Sequence, residues 1–316
     1  MNRSTRTAIV VSILFLCCYA AKKRPAEGYG VSATRMSSHV RFLVNLPSPR
    51  NYMNRESMGQ AAGYIKSSLE SIGIPTREQN FTVDSAEYTN VIGVIGTSLK
   101  GKLVIGAHYD VAGDQPGADD NASGIAALLE VARMLKDHEA ELKYQVELVA
   151  YALEEPPFFG SDKMGSYIHA QSLKAKGEEI RGMISLEMLG CYSEEKGSQR
   201  YPLGVMKLFY PSRGNFIAAV GNMGSRRLAT AFRKVMKRRG ELPCVILSAP
   251  SWITGVDFSD HRNYWIFGYD AIMLTDTAFY RNRNYHEMTD TMETLDFEKM
   301  RYVVSGLINT ILNGSL

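Results

Sequence analysis

The chain has 316 residues, 45% of them hydrophobic and 22% charged, with a formal net charge of +3. That length and apolar fraction suffice to bury a large core, and a charge this close to zero excludes a global field for gripping nucleic acid or a membrane surface. Four cysteines in so long a chain also exclude a scaffold that depends on disulfides.

Arg3 and Arg6 precede an uncharged, largely apolar run at residues 8–21, the layout of a secretory signal. A run of about fourteen residues is too short to cross a bilayer comfortably as a helix. Cys18-Tyr19-Ala20 offers a small-residue cleavage site, with Lys22, Lys23 and Arg24 just beyond it. Cleavage after Ala20 and export, to the periplasm or outside the cell, are therefore expected. Retention as an uncleaved anchor, or lipid attachment at Cys17 or Cys18, is the alternative. Cleavage removes Arg3, Arg6 and no acid, which brings the mature chain closer to neutrality. It leaves Cys191 and Cys244, which either pair or stay as buried free thiols.

No repeat, low-complexity block or long linker follows Gly28, so residues 29–316 read as one domain. Residues 54–72 place Met58, Ala61, Ala62, Ile65 and Leu69 at helical spacing. Residues 90–95 and 103–107 read as short apolar strands bounded by glycine, and 124–135 returns to helix, with Ile125, Leu128, Leu129, Ala132 and Leu135 on one stripe. A strand at 145–152, a helix at 164–173 and strands at 183–187 and 216–220 come next. A basic helix at 226–239, a strand at 271–274 and a final helix at 297–312 complete the pattern. This alternation predicts an α/β sandwich around a central sheet. Runs such as Leu103-Val104-Ile105 are apolar on both sides, as expected for strands covered by helices on both faces.

The polar residues that interrupt this pattern fall at strand exits, where ligands gather in such sheets. His108-Tyr109-Asp110 follows the strand at 103–107, Glu154-Glu155 follows 145–152, and Glu187 ends 183–187. Asp119-Asp120 lies in a glycine-bounded loop that opens the helix at Ile125, and His286 follows the strand at 271–274. Imidazole and carboxylate from His108, Asp120, Glu155, Glu187 and His286 suit zinc in the absence of thiolate. Two histidines and three carboxylates exceed what one tetrahedral ion needs. They suit two zinc ions if one carboxylate bridges them, and Glu154 is then placed to act as general base. Asp110 supplies a carboxylate partner for the His108 imidazole.

These residues resemble the M28 family of zinc exopeptidases, which includes bacterial double-zinc aminopeptidases. The resemblance runs from just before His108 to the end of the chain. It is carried in order by His108-Tyr109-Asp110, Gly117 to Gly124, Leu153-Glu154-Glu155-Pro156, Ser185-Leu186-Glu187-Met188, Ser259-Asp260-His261, and Tyr285-His286 followed by Asp290-Thr291. It implies that His108 and Glu187 hold one zinc, Glu155 and His286 the other, and that Asp120 bridges them, with Glu154 as base and Asp119 supporting the loop. The family often has aspartate where this chain has Glu187, whose extra methylene shifts that site. A mixed, mainly parallel sheet of about eight strands with helices on both faces is implied, as is hydrolysis of the amino-terminal bond of peptides with a free amino end. Other activities on this fold are glutaminyl cyclisation with one zinc, carboxypeptidase action, and a non-catalytic receptor role, which usually costs the base or a ligand.

The remaining motifs carry plainer readings. His39, His138 and His169 are expected in structural or surface roles, and residues 226–239 as a solvated helix face, with an anionic partner as the other reading. The Pro156-Pro157-Phe158-Phe159-Gly160 stretch reads as a packed turn rather than a pocket wall. Asp260-His261 either shapes the substrate pocket or ties a loop. Asn80-Phe81-Thr82 accepts a glycan only in a host that glycosylates. The tyrosine that some relatives place before Ser-Asp-His is replaced by Gly255-Val256-Asp257-Phe258.

Overall fold

The computed structural model describes residues 29–316. The expected signal at 1–20 therefore lies outside the described residues. Eight strands form one sheet: β1 (Thr76–Val83), β2 (Ala86–Ile95), β3 (Lys102–His108), β4 (Gln145–Tyr151), β5 (Gly182–Glu187), β6 (Ile217–Gly221), β7 (Cys244–Ser248) and β8 (Ala271–Thr275). Their spatial order is β1-β2-β4-β3-β5-β8-β6-β7. The central β4, β3, β5 and β8 run parallel, β2 and β6 flank them antiparallel, and β1 and β7 are the edges.

Seven α-helices accompany the sheet among the described residues: α1 (Ala33–Val44), α2 (Arg55–Ser71), α3 (Gly124–Asp137), α4 (Gly165–Ala175), α5 (Arg226–Arg239), α6 (His261–Ile266) and α7 (Phe297–Leu312). Successive strand side chains point to opposite faces, which divides the core. Leu103, Ile105, Ala107, Ile217 and Ala219 join the apolar sides of α1, α2, α3, α5 and α7. Val104, Val149, Tyr151 and Met183 pack against α4 and α6. The result is the expected three-layer α/β sandwich, with the second helical layer much the thinner.

Local chemistry sets the helix ends. Ser32 and Asp296 cap α1 and α7 by accepting from the N–H of Arg35 and Lys299, and Gly240, at φ 74°, closes α5. The elements α1, β1, β7 and α6 escaped the sequence reading, which saw only His261 of α6, within a motif. β1 is an edge strand of mostly polar, solvent-facing residues without the apolar run that marks a covered strand, whereas β7 carries the short apolar run Val245-Ile246-Leu247 but lies at the other edge, half-buried throughout. The register aligns His108 with Tyr151 and Glu187 with Thr275. The exits of β3, β4, β5 and β8 therefore open at one edge of the sheet.

Candidate metal centre

All six proposed metal and base residues meet above that edge. His108, the last residue of β3, places Nε2 3.5 Å from Oδ1 of Asp120, 3.3 Å from Oε1 of Glu187 and 3.9 Å from Oε2 of Glu154. His286 places its Nε2 3.2 Å from Oδ2 of Asp120 and 3.2 Å from Oε2 of Glu155. Asp120 is therefore shared between two groups of donors, one with His108 and Glu187, the other with Glu155 and His286. Each carboxylate of these groups is buried.

Backbone anchors hold these side chains. Asp110 accepts from the N–H of Glu154 at 3.2 Å and of Glu155 at 3.0 Å, and its Oδ1 lies 3.5 Å from Nδ1 of His108. One carboxylate thus joins the exits of β3 and β4. Asp290 repeats the device, accepting from the N–H of Asp119 at 2.9 Å and of Asp120 at 3.0 Å. Asn121 ties the same turn to β5 through the carbonyl of Leu186 and the N–H of Met188. Asp119 supports the loop, accepting from Gly190 N–H and the Asn282 side chain. Ser259 donates to Oε2 of Glu187 at 2.8 Å and pairs with Ser185, leaving Oε1 facing His108. Buried Arg50 donates to the carbonyls of Pro116 and Gly117 just ahead of the Asp120 turn.

The donor set fits a cation. It is all nitrogen and oxygen, and Nε2 of His286 and Oε1 of Glu155 are buried without a hydrogen-bond partner. Burial pushes the Glu154 and Glu187 carboxyls above their usual range, and Glu155 up to about 8. Burial would lower His286, but Asp120 and Glu155 outweigh it and push it up to about 10. Burial would likewise raise Asp120, yet the nearby imidazoles of His108 and His286 hold it well below the ordinary aspartate value. The site thus concentrates more carboxylate than its two imidazoles offset, and positive charge is what it lacks.

A sequence model of peptidase family M28 matches residues 90–311, which span every one of these donors. The chain belongs to peptidase family M28. This M28 peptidase is 41% identical to the uncharacterized protein YfbL of Escherichia coli over 92% of its own length and 90% of the other. It is 26% identical to leucine aminopeptidase 1 of Ajellomyces dermatitidis, over 85% of this chain and 68% of that one. Among solved structures, LapB of Legionella pneumophila shares the fold with a TM-score of 0.74 at 20% identity, covering 94% and 76% of the two chains. A Bacteroides thetaiotaomicron glutaminyl cyclase shares it with a TM-score of 0.69 at 18% identity, covering 90% and 98%.

The candidate metal centre of this M28 peptidase opens into a cavity of about 250 Å³, walled by Phe159, Met188, Phe216, Val220, Leu247 and Met273 among others. The Pro156–Gly160 stretch therefore does more than pack as a turn. Phe158 is buried against Tyr52, whereas Pro156 and Phe159 line the cavity, Phe159 meeting Phe258 edge-on. His261 donates to the carbonyl of Val256 at 2.8 Å and ties the loop. His39 bonds Tyr64, His138 bonds the Met134 carbonyl, and buried His169 meets Glu147 and Tyr264. Cys191 and Cys244 are both unpaired. Arg50 was not found from sequence, since a lone arginine in a loop carries no periodic or spacing signal, and Asn121 was quoted only within the Gly117 to Gly124 motif, without its task. Asp290 was visible only as part of a motif, without its task.

Proposed function

We propose that this M28 peptidase is a zinc-dependent aminopeptidase taking one zinc at His108, Glu187 and Asp120 and a second at Asp120, Glu155 and His286. The observation that carries this reading is the carboxylate of Asp120, within 3.5 Å of one imidazole and 3.2 Å of the other, each with a further carboxylate beside it. Zinc bound there supplies Lewis-acid polarisation of the scissile carbonyl and acidifies water. Glu154 takes the proton of the attacking water and passes it to the departing nitrogen. Asp110 keeps both glutamates of the β4 exit in place through their backbone N–H groups.

The substrate is a peptide with a free amino terminus, whose positive charge the surplus carboxylates of the site attract. Its first side chain enters the apolar cavity, which suits a large aliphatic or aromatic residue. The leucine aminopeptidase relative supports the same substrate class. The sequence layout ahead of Tyr29 supports export with cleavage after Ala20, and among the described residues no helix is long and apolar enough to cross a membrane.

Hydrolysis of leucyl and phenylalanyl anilides by the purified chain, with zinc counted per chain, tests the reading. Activity should vanish on chelation, return with zinc, reach full value at two ions, and fail on amino-acetylated peptides. Full turnover in the metal-stripped enzyme, cleavage from the carboxyl end, or pyroglutamate formation from a glutamine-led peptide with one ion bound would each overturn it.

A further inference from the structure

Helix α5 carries seven basic residues and no acid. Six of them, Arg226, Arg227, Arg233, Lys234, Lys237 and Arg238, are exposed. At helical spacing they form two rows, 226/233/237 and 227/234/238, set roughly 100° apart and each about 16 Å long. Arg239 is engaged by Glu241, and Arg227 donates to the carbonyl of Arg181. No ion pair to a described residue holds the other five.

This arrangement works against the fold. Arg226 and Arg227 sit at the positive end of the helix dipole, and Arg233/Lys237 and Lys234/Arg238 are like-charged neighbours one turn apart. Lys237 and Arg238 gain from the negative end of the dipole, but no ion pair to a described residue offsets the repulsion between these neighbours or the placement of Arg226. The near-neutral total charge of the chain conceals this local concentration.

We infer that the exposed face of α5 docks the protein on an anionic lipid bilayer. The apolar side of the helix is spent on the core through Leu228, Ala229, Phe232, Val235 and Met236, so contact is electrostatic and made without insertion. A flat charged surface meets both rows together. No aromatic side chain stands among the exposed cations to stack a base, as a single-stranded nucleic acid site would need. The place where the described chain begins points the same way. Tyr29 packs on His138 at the carboxyl end of α3, the end of the sheet where β3 to β5 start, and Arg227 bonds Arg181 at that same end. Of the sequence ahead of Tyr29, cleavage after Ala20 would leave Lys22, Lys23 and Arg24 against the single acid Glu27, which adds cations to this end of the chain. Docking also leaves the metal centre free. Ile217 and Ala219 of β6 face α5, whereas Phe216, Ala218 and Val220 face the cavity on the other side of the sheet.

The test is co-sedimentation of the full chain with vesicles of phosphatidylcholine alone or mixed equally with phosphatidylglycerol, beside binding to a single-stranded oligonucleotide. The comparison is a variant carrying Arg233→Gln, Lys234→Gln, Lys237→Gln and Arg238→Gln, checked for an unchanged or higher melting temperature. The wild type should prefer the anionic vesicles, lose that preference as salt rises, and bind them at least about tenfold more tightly than the variant. Equal binding to both vesicle types, an unaltered preference in the variant, or capture of the oligonucleotide but not the vesicles overturns the inference.

Discussion

Glu154 is the residue whose removal separates binding from chemistry. It is buried 3.9 Å from Nε2 of His108 and belongs to neither donor group around Asp120 that would seat the two ions. Glu154→Gln keeps the shape and removes the proton acceptor. Metal content should stay at the wild-type level while kcat falls by about 10²–10⁴, read by metal analysis beside an anilide assay; lost zinc would show that Glu154 is a ligand instead. Ser259 supplies the opposite case. Ser259→Ala strips the donor from Oε2 of Glu187 and frees that carboxylate to turn, so zinc affinity at the His108 side should weaken by about 10–100-fold, measured by competition with a chelator, with the fold intact by melting temperature. His108, Glu154, Glu155 and Glu187 were legible because each breaks or ends an apolar run at a strand exit, whereas Asp120 was read from a glycine-bounded loop and His286 from the loop after the strand at 271–274. Ser259 was quoted only within a motif, and its bond to Glu187 spans 72 positions of sequence that no local pattern encodes.

At the scale of elements, the sheet is orderly and its exits are strained. Leu153, Met188 and His286 all adopt φ between 47° and 62°, a left-handed conformation costing about 1–2 kcal/mol each for residues with a Cβ. These three immediately precede, follow or are metal-centre residues, so the bends that aim Glu154, Glu187 and His286 are held by the hydrogen bonds around them. Gly117 shows how little room the Asp120 turn has. It sits at φ 61°, and a Cβ there would stand 2.2 Å from Cγ1 of Val111 and 2.3 Å from the Asp120 carbonyl. Gly117→Ala should therefore cost more than the about 1–2 kcal/mol of the backbone conformation alone and should displace Asp120. Reduced zinc at both positions, together with a lower melting temperature, is the expected result; a variant with full zinc would contradict the shared role of Asp120. The helix at 226–239 and the strands at exits were read from periodicity, but the tightness of this turn follows from Val111 and Arg50, which the sequence brings to it from elsewhere.

Across the whole molecule, stability in acid should track a buried ion cluster far from the metal centre. Glu147 of β4 faces His169 at 3.1 Å, Lys102 at 3.2 Å and Arg77 at 3.4 Å. Burial alone would raise its pKa, but His169, Lys102 and Arg77 outweigh that and hold it at about 2. A depressed folded-state value stabilises the protein above the unfolded glutamate pKa of 4.5, and that contribution fades as pH falls toward about 2. Glu147→Gln should lower stability by about 1–3 kcal/mol near neutrality. The gap between the two melting temperatures should close as the solution is acidified through this window; a gap that widens would place the stabilisation elsewhere. The alternation of helices and strands foretold the layers of the molecule, while the order of its strands and the edges β1 and β7 came only with their pairing.

The same architecture would give bound ions a second duty. The proposed donors come from strand ends and loops spread between residues 108 and 286, and the cysteines of the described chain are unpaired. Zinc would be a cross-link that the described residues otherwise lack, closing long stretches of chain as a disulfide would.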